Sequence, residues 1–254
     1  MNQVLLLARR SVVRTLRQPA MVVPSLVFPL MLLAINSSGL ESTTRLPGFP
    51  TESYFQFALA IPFVQGALFS ANSAGTNVAS DIESGFLNRL SLTPLRRVAL
   101  LMGQLTGILA LGLVQALTFV GVGLVFGEGI EAGPGGAVVI VALSLTISLA
   151  FGCIGAFVAL RSGNGEAVQG VFPLFFAALF LSSMAMPRDL IEVDWFQTVA
   201  NWNPVSYMLE GIRSLVIEGW NGEAIALGFA CAGGIALIAL AAASSALRTR
   251  MVRT

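Results

Sequence analysis

Residues 98–127 read VALLMGQLTGILALGLVQALTFVGVGLVFG, thirty residues without a charge. A transmembrane helix needs about 20 apolar residues, so this stretch holds one helix and not two. Five more uncharged stretches flank it, at 18–40, 53–80, 132–160, 167–187 and 224–247, with 23, 28, 29, 21 and 24 residues. The next longest, 195–209, has 15 residues, contains Gln197, Asn201, Asn203 and Pro204, and reads as interfacial. The pattern predicts six spans, at about 19–38, 54–77, 99–124, 136–160, 167–186 and 223–247, in a single transmembrane domain covering 1–254. Composition agrees. The chain is 56% hydrophobic and only 11% charged, against roughly 25% charged in an average soluble domain, and its mean hydropathy is +0.83. The fold class is an all-α integral membrane protein.

Missing residue types exclude several chemistries. The chain has no His, which removes His-based triads and His metal sites. All 14 basic residues are Arg, so there is no Lys for a Schiff base or a phosphate loop ending in GK[ST]. Cys153 and Cys231 each lie inside an apolar run and read as small hydrophobes rather than as a disulfide or metal pair.

An even number of spans puts both termini on one side. With the N-terminus inside, the inner segments hold 11 of the 14 Arg, and the outer ones only Arg45, Arg188 and Arg213. The positive-inside rule then gives an N-in, C-in protein. Ten of the 13 acidic residues fall outside, so the outer surface is expected to be acidic. Residues 2–17 show no cleavable signal pattern. Arg10, Arg14 and Arg17 share one helical face with Gln3, and Leu5, Ala8, Val12 and Leu16 lie on another. This describes an amphipathic helix in the inner headgroups; a plain charged flank is the other reading.

Within the spans, Pro24 and Pro29 are expected to kink or loosen the first helix, while Pro19 suits its start. Gln65, Phe69, Asn72, Ser73 and Thr76 stand at offsets of 4, 7, 8 and 11 on the second, which puts a polar stripe on one face. The stripe is either interhelical hydrogen bonding, worth about 0.6 kcal/mol per bond, or part of a substrate path. Gln104 and Gln115 share a face of the third span. Gly103–Gly107 and Gly123–Gly127 are small-xxx-small pairs there, a weak signal among 26 glycines. No span carries an acidic residue near its middle, as an ion-coupled carrier would.

Two loops carry more. Residues 81–97, DIESGFLNRLSLTPLRR, form the one sizeable inner loop between spans. Phe86, Leu87 and Leu90 give an apolar edge, Asp81, Glu83, Asn88 and Arg89 polar ones, and Thr93-Pro94 a stop. The result is a short amphipathic helix, either a connector lying on lipid or a knob for a cytosolic partner. Residues 187–220 hold all three Trp and one of the two Tyr of the chain, the composition of an interfacial belt. Glu210 and Arg213, at i and i+3, are placed to pair on a helix.

Here the sequence resembles the type-2 membrane permeases of ATP-binding-cassette exporters, a group with drug-resistance, antibiotic-export and polysaccharide-export members. Their pattern of acidic-x-E-x-G-T-L-E-x-L, then T-P, arginines and G-K, is matched by Asp81, Glu83, Gly85, Leu87, Leu90, Thr93, Pro94, Arg96, Arg97 and Gly103. The chain departs from it at Phe86 for Thr, Asn88 for Glu and Gln104 for Lys. Trp202-Asn203-Pro204-Val205-Ser206-Tyr207, then Arg213, resembles the family's N-P-x-[ST]-Y-x(5)-R segment before the last span. The resemblance covers essentially the whole chain.

The resemblance implies that 187–221 forms a re-entrant helical hairpin at the outer leaflet between helices 5 and 6. It also implies that 79–97 is a coupling loop, with Asp81, Glu83, Gly85, Phe86, Leu87, Leu90, Thr93, Pro94, Arg96 and Arg97 at the ATPase-coupling site. The expected partners are two copies of a cytosolic ABC ATPase, a second permease, as homodimer or heterodimer, and membrane lipid, with no nucleic acid. No cofactor is expected on this chain, since ATP and Mg would sit on the ATPase, and no residue here is expected to be catalytic. The implied function is export of a hydrophobic or amphipathic substrate (drug, antibiotic or lipid) across a bacterial plasma membrane. An ATP-independent channel or carrier, a lipid-linked glycan exporter and, more remotely, an intramembrane enzyme are the alternatives.

Overall fold

Prolines and glycines set where the apolar stretches become helices. The computed structural model describes residues 2–86, 97–127 and 129–252, and every regular element among them is helical. Helix α1 spans Asn2–Leu16 and α2 spans Pro19–Leu40. Pro19 stands at the first helical position, where its missing N–H costs nothing. Pro24 and Pro29 lie inside α2, yet the helix runs continuously through both. A 3-10 turn, Glu41–Arg45, follows.

The second apolar stretch forms two helices, α3 (Tyr54–Ala58) and α4 (Ala60–Glu83). The break at Leu59 has a local cause. Pro62 has no N–H to offer the Ala58 carbonyl, and its ring crowds that carbonyl. Ser53 caps α3 by accepting from the Gln56 amide at 3.3 Å. Then come α5 (Arg97–Val125), α6 (Gly133–Ser162) and α7 (Gly165–Phe180). Gly163 ends α6 at φ +86°, a conformation that suits glycine. Helices α8 (Asp194–Trp202) and α9 (Pro204–Arg213), a π turn (Ser214–Glu218) and α10 (Gly222–Val252) complete the chain.

Five helical segments among the described residues are long and apolar enough to cross a membrane: Pro19–Arg45, Tyr54–Glu83, Gly103–Val125, Gly133–Ser162 and Gly222–Arg250. The protein is a multi-pass membrane protein. The sequence count differs at one place. The span expected at 167–186 is α7, whose 16 residues reach about 24 Å at about 1.5 Å per residue, short of a hydrocarbon core of about 30 Å. The uncharged stretch is longer than the helix because the chain turns at Leu181 and tucks Ser182 and Ser183 into the interior.

The α3–α4 segment is the axis of the bundle. In its apolar window 83% of residues are buried, against 17% for α2 and 22% for α10, which face outward. Lipid tails give helices no hydrophobic reason to associate, so close approach must supply the attraction. At the α4–α6 crossing a Cβ on Gly155 would collide with the Ala71 carbonyl oxygen, and one on Gly75 would come within 2.9 Å of the Gly155 carbonyl. Helix α1 seats itself on α5 in the same way, with Leu7 over Gly103 and Ser11 over Gly107. The glycine pair that is only a weak signal in the sequence is the seat of the N-terminal helix. Leu5, Leu6, Val13 and Leu16 remain on the open side of α1.

Candidate functional site

Two constellations stand at opposite ends of the bundle. The first surrounds the end of α4. Asp81, 9% exposed, accepts Arg10 Nη2 at 3.0 Å and Arg14 Nη1 at 2.6 Å, both from α1. The Arg10 guanidinium also lies over the Phe86 ring, 3.9 Å from its centroid. Two residues on, Glu83 Oε1 accepts the Gly165 amide of α7 at 3.2 Å, an arrangement favoured by the positive end of that helix. Gly85 then reverses the chain at φ +66°, and its amide donates to the Ile82 carbonyl at 2.9 Å. A side chain would make that conformation costly.

The acidic-x-E-x-G spacing thus has a mechanical meaning. Asp81 holds α1, Glu83 holds α7, and Gly85 releases the chain into the loop. Asp81 is engaged within the chain rather than offered outward. Leu87, Leu90, Thr93, Pro94 and Arg96 lie outside the described residues, and Arg97 opens α5.

The second constellation is at the far end, around α8 and α9. Asn203 caps α9, accepting the Val205 amide at 3.0 Å, and donates its Nδ2 to the Ala178 carbonyl at 2.6 Å and the Leu181 carbonyl at 3.1 Å. Those are carbonyls that the end of α7 leaves open. Pro204 begins α9. Ser206 Oγ accepts the Ser183 amide at 3.1 Å, and the Tyr207 hydroxyl donates to the Asn201 carbonyl at 2.8 Å. Trp202 is 85% exposed, as an interfacial anchor would be.

Arg213 closes this lock. Its Nε donates to the Phe57 carbonyl at 3.0 Å, Nη1 to Ser183 and Nη2 to Met184, each at 2.6 Å, and its guanidinium lies 3.6 Å from the centroid of the Phe57 ring. Burial pushes its pKa down to about 10, with Glu210 and Tyr54 pulling the other way, so it stays charged at neutral pH. The pairing of Glu210 with Arg213 expected from their spacing is corrected here. Glu210 forms its ion pair with Arg188 instead. Arg213 points inward, where three carbonyls outcompete one carboxylate on the helix surface. Arg188 also lies over Tyr207 at 4.5 Å.

The stripe on α4 does not share one environment. Phe69 packs between α2 and α7, with Phe28 at 5.9 Å, Phe172 at 5.4 Å and Phe176 at 6.4 Å. Thr76 donates to the Asn72 carbonyl at 2.8 Å and touches the Met21 sulfur of α2 at 3.8 Å. Ser73 turns the other way. With Ser70, Asn77, Ser11, Thr15 and Gln104 it lines a cavity of about 20 Å³ among α1, α4 and α5, room for about one water. Gln65 is fully enclosed, and neither of its amide atoms has a hydrogen-bond partner; Asn72 Oδ1 and Gln115 Nε2 also lack one. Sequence reasoning marked Gln65 and Asn72, and Ser206 as part of the N-P-x-[ST]-Y segment, but missed Ser183, whose importance comes only from the fold.

Comparison with known proteins adds an independent line. The profile of the ABC-2 type transporter family matches residues 2–217. The chain is 26% identical over 219 residues to the putative transport permease ycf38 of Porphyra purpurea, covering 85% of this chain and 74% of that one. It is 24% identical over 221 residues to the probable doxorubicin resistance ABC transporter permease protein DrrC of Mycobacterium tuberculosis, covering 85% and 78%.

Proposed function

The chain belongs to the ABC-2 type transporter family, and from that premise we propose that it is the membrane subunit of an ATP-driven exporter of hydrophobic or amphipathic substrates. Family membership implies a transport permease that works with an ABC ATPase. In the proposed assembly two permeases and two ATPases form the working unit, and α7 serves as the fifth of six spans in an N-in, C-in arrangement. ATP and Mg belong to the ATPase. The membrane is the bacterial plasma membrane, in keeping with a mycobacterial relative.

The observation that carries this reading is the clasp at the end of α4. A partner can shift a permease only through contacts whose energy differs between states. The loop 81–97 is the place to deliver such a bias, because Asp81 ties its root to α1 and Glu83 ties it to α7. Closure of the ATPase pair would move the loop, and α1, α4 and α7 would move with it. Phe86, Leu87 and Leu90 supply apolar anchoring to the ATPase, and Thr93-Pro94, Arg96 and Arg97 its register and orientation. The substrate passes along α2, α4 and α7, beside Phe28, Phe69, Phe172 and Phe176. Those rings favour flat, apolar solutes. The Gln65 amide and Asn72 Oδ1, without hydrogen-bond partners among the described residues, supply hydrogen bonds on the same route. At the outer end, the Asn203–Pro204–Tyr207–Arg213 lock fixes the hairpin against α3 and the end of α7.

The test is reconstitution. Vesicles containing the permease and its ATPase should move a fluorescent amphipathic cation, such as a doxorubicin-like anthracycline, only with hydrolysable ATP. Movement by the permease alone at the same rate would establish a carrier or channel instead.

A further inference from the structure

A cavity of about 520 Å³ opens between α6 and α10 at the end of the bundle where α6 finishes. Its size falls within the range of about 300–1,000 Å³ typical of ligand sites, and none of its lining residues belongs to the loop, the stripe or the outer lock. Leu160 and Ala246 are buried and form its floor, beside Phe157. Ser245, Thr249 and Arg161 are exposed at its rim, where Arg250 joins them. The hollow follows from sequence: residues 241–246 of α10 are AAASSA, too small to fill the space beside Phe157.

Arg250 is fixed in place. Its Nη1 donates to the Leu160 carbonyl at 3.0 Å, and its guanidinium lies against Gly163, where a Cβ would stand 2.7 Å from Nη2. Glycine at this position therefore does two things: it accepts φ +86° and it leaves room for the cation. Capping of a helix end accounts for the bond to Leu160. It does not account for the hollow beside it, or for a second guanidinium on the same rim. Along α10, Ser245 shares a helical face with Ile238, seven residues earlier and 73% exposed. An apolar track therefore leads from the rim down the outer face of the helix.

An apolar floor, a hydroxyl rim and two cations at a span end complement a phosphodiester headgroup that carries acyl chains. We infer that this groove binds an anionic phospholipid, with its phosphate between Arg161 and Arg250 and a chain lying along the Ser245–Ile238 face. Only its assignment to the inner leaflet rests on the proposed N-in, C-in arrangement.

The test uses the full-length protein in detergent without any ATPase, so its outcome is independent of the exporter reading. Native mass spectrometry follows retention of phosphatidylglycerol against phosphatidylcholine. The wild type should retain phosphatidylglycerol preferentially. R161Q/R250Q should weaken that preference about tenfold or more, as loss of two interfacial cations predicts. R161Q alone and S245F, which fills the hollow without changing charge, should each weaken it with the fold intact by circular dichroism. R45Q, on the exposed 3-10 turn after α2, should not. Equal retention of the two lipids, equal loss in R45Q, or displacement by inorganic phosphate would each overturn the inference. So would unchanged lipid retention in R161Q/R250Q.

Discussion

Arg14 of α1 and Asp81 of α4 meet at 2.6 Å across 67 residues of sequence. Arg10 reaches the same carboxylate oxygen at 3.0 Å, so one acidic side chain at the root of the loop fastens the N-terminal helix. Asp81→Asn keeps the shape and removes the charge. Hydrogen bonds to charged groups contribute about 1.5–3 kcal/mol, and the 44% exposure of the Arg10 side chain puts this case at the lower end. D81N should therefore lower stability in detergent by about 1–2 kcal/mol and make the peptide bonds of α1 cleavable by trypsin. Limited proteolysis with thermal unfolding checks this, and a protected α1 in D81N would show that the seat on Gly103 and Gly107 is sufficient by itself.

Arg213 is the most heavily engaged cation of the outer lock. Arg213→Met leaves the carbonyls of Phe57, Ser183 and Met184 without their donor. At about 1–3 kcal/mol for each buried unsatisfied group, the loss should exceed about 3 kcal/mol. Arg213→Lys keeps the charge but not the planar fork, and should recover less than half of that. Thermal unfolding of the two variants beside the wild type measures both. A fully stable R213K would mean that charge alone, not geometry, is what the site uses.

Two glycines separate backbone conformation from packing. Gly85 stands at φ +66°, and a Cβ there would meet nothing within 4 Å, so Gly85→Ala should cost only about 1–2 kcal/mol while misdirecting the loop. Gly155 lies under the Ala71 carbonyl, and Gly155→Ala must push α4 and α6 apart. G85A should yield normally folded protein with impaired ATP-driven transport, and G155A little folded protein at all. Gel filtration and transport assays on both distinguish the cases.

Gln65 distinguishes the two readings of the α4 stripe. Its amide is enclosed and without a partner, so an apolar replacement of similar shape is expected to be neutral or mildly stabilising. Gln65→Met should leave the unfolding temperature unchanged or raised and lower transport severalfold. Unchanged transport in Q65M would leave this side chain no part in the route.

Five long apolar helices were legible because hydropathy over about 20 residues reports the solvent of each segment. The end of α7 was not, because Phe172–Phe180 and the tucked-in Ser182 and Ser183 are equally uncharged, and only the tertiary turn separates them. The acidic-x-E-x-G and N-P-x-S-Y patterns pointed to the two ends of the bundle. Their partners were hidden: Asp81 reaches back to α1, and Arg213 reaches backbone carbonyls, which carry no side-chain signature. An Arg three residues after a Glu on a helix looks like a surface pair, and only burial overturns that. The stripe of Gln65, Phe69, Asn72, Ser73 and Thr76 obeys helical spacing, but α4 is surrounded on nearly every side, so a modest angular offset sends Ser73 toward α1 and Phe69 toward α7.

If residues 81–97 dock an ATPase, as proposed, that partner should survive purification with the protein. The full-length protein, solubilised from its native membranes and captured by an affinity tag, should bring with it a stoichiometric ABC ATPase identified by mass spectrometry. A variant with both Glu83 and Leu87 replaced by Ala should lose that partner while still folding. Absence of any ATPase from the wild-type complex, or its full retention in the double variant, would show that this loop is not its docking site.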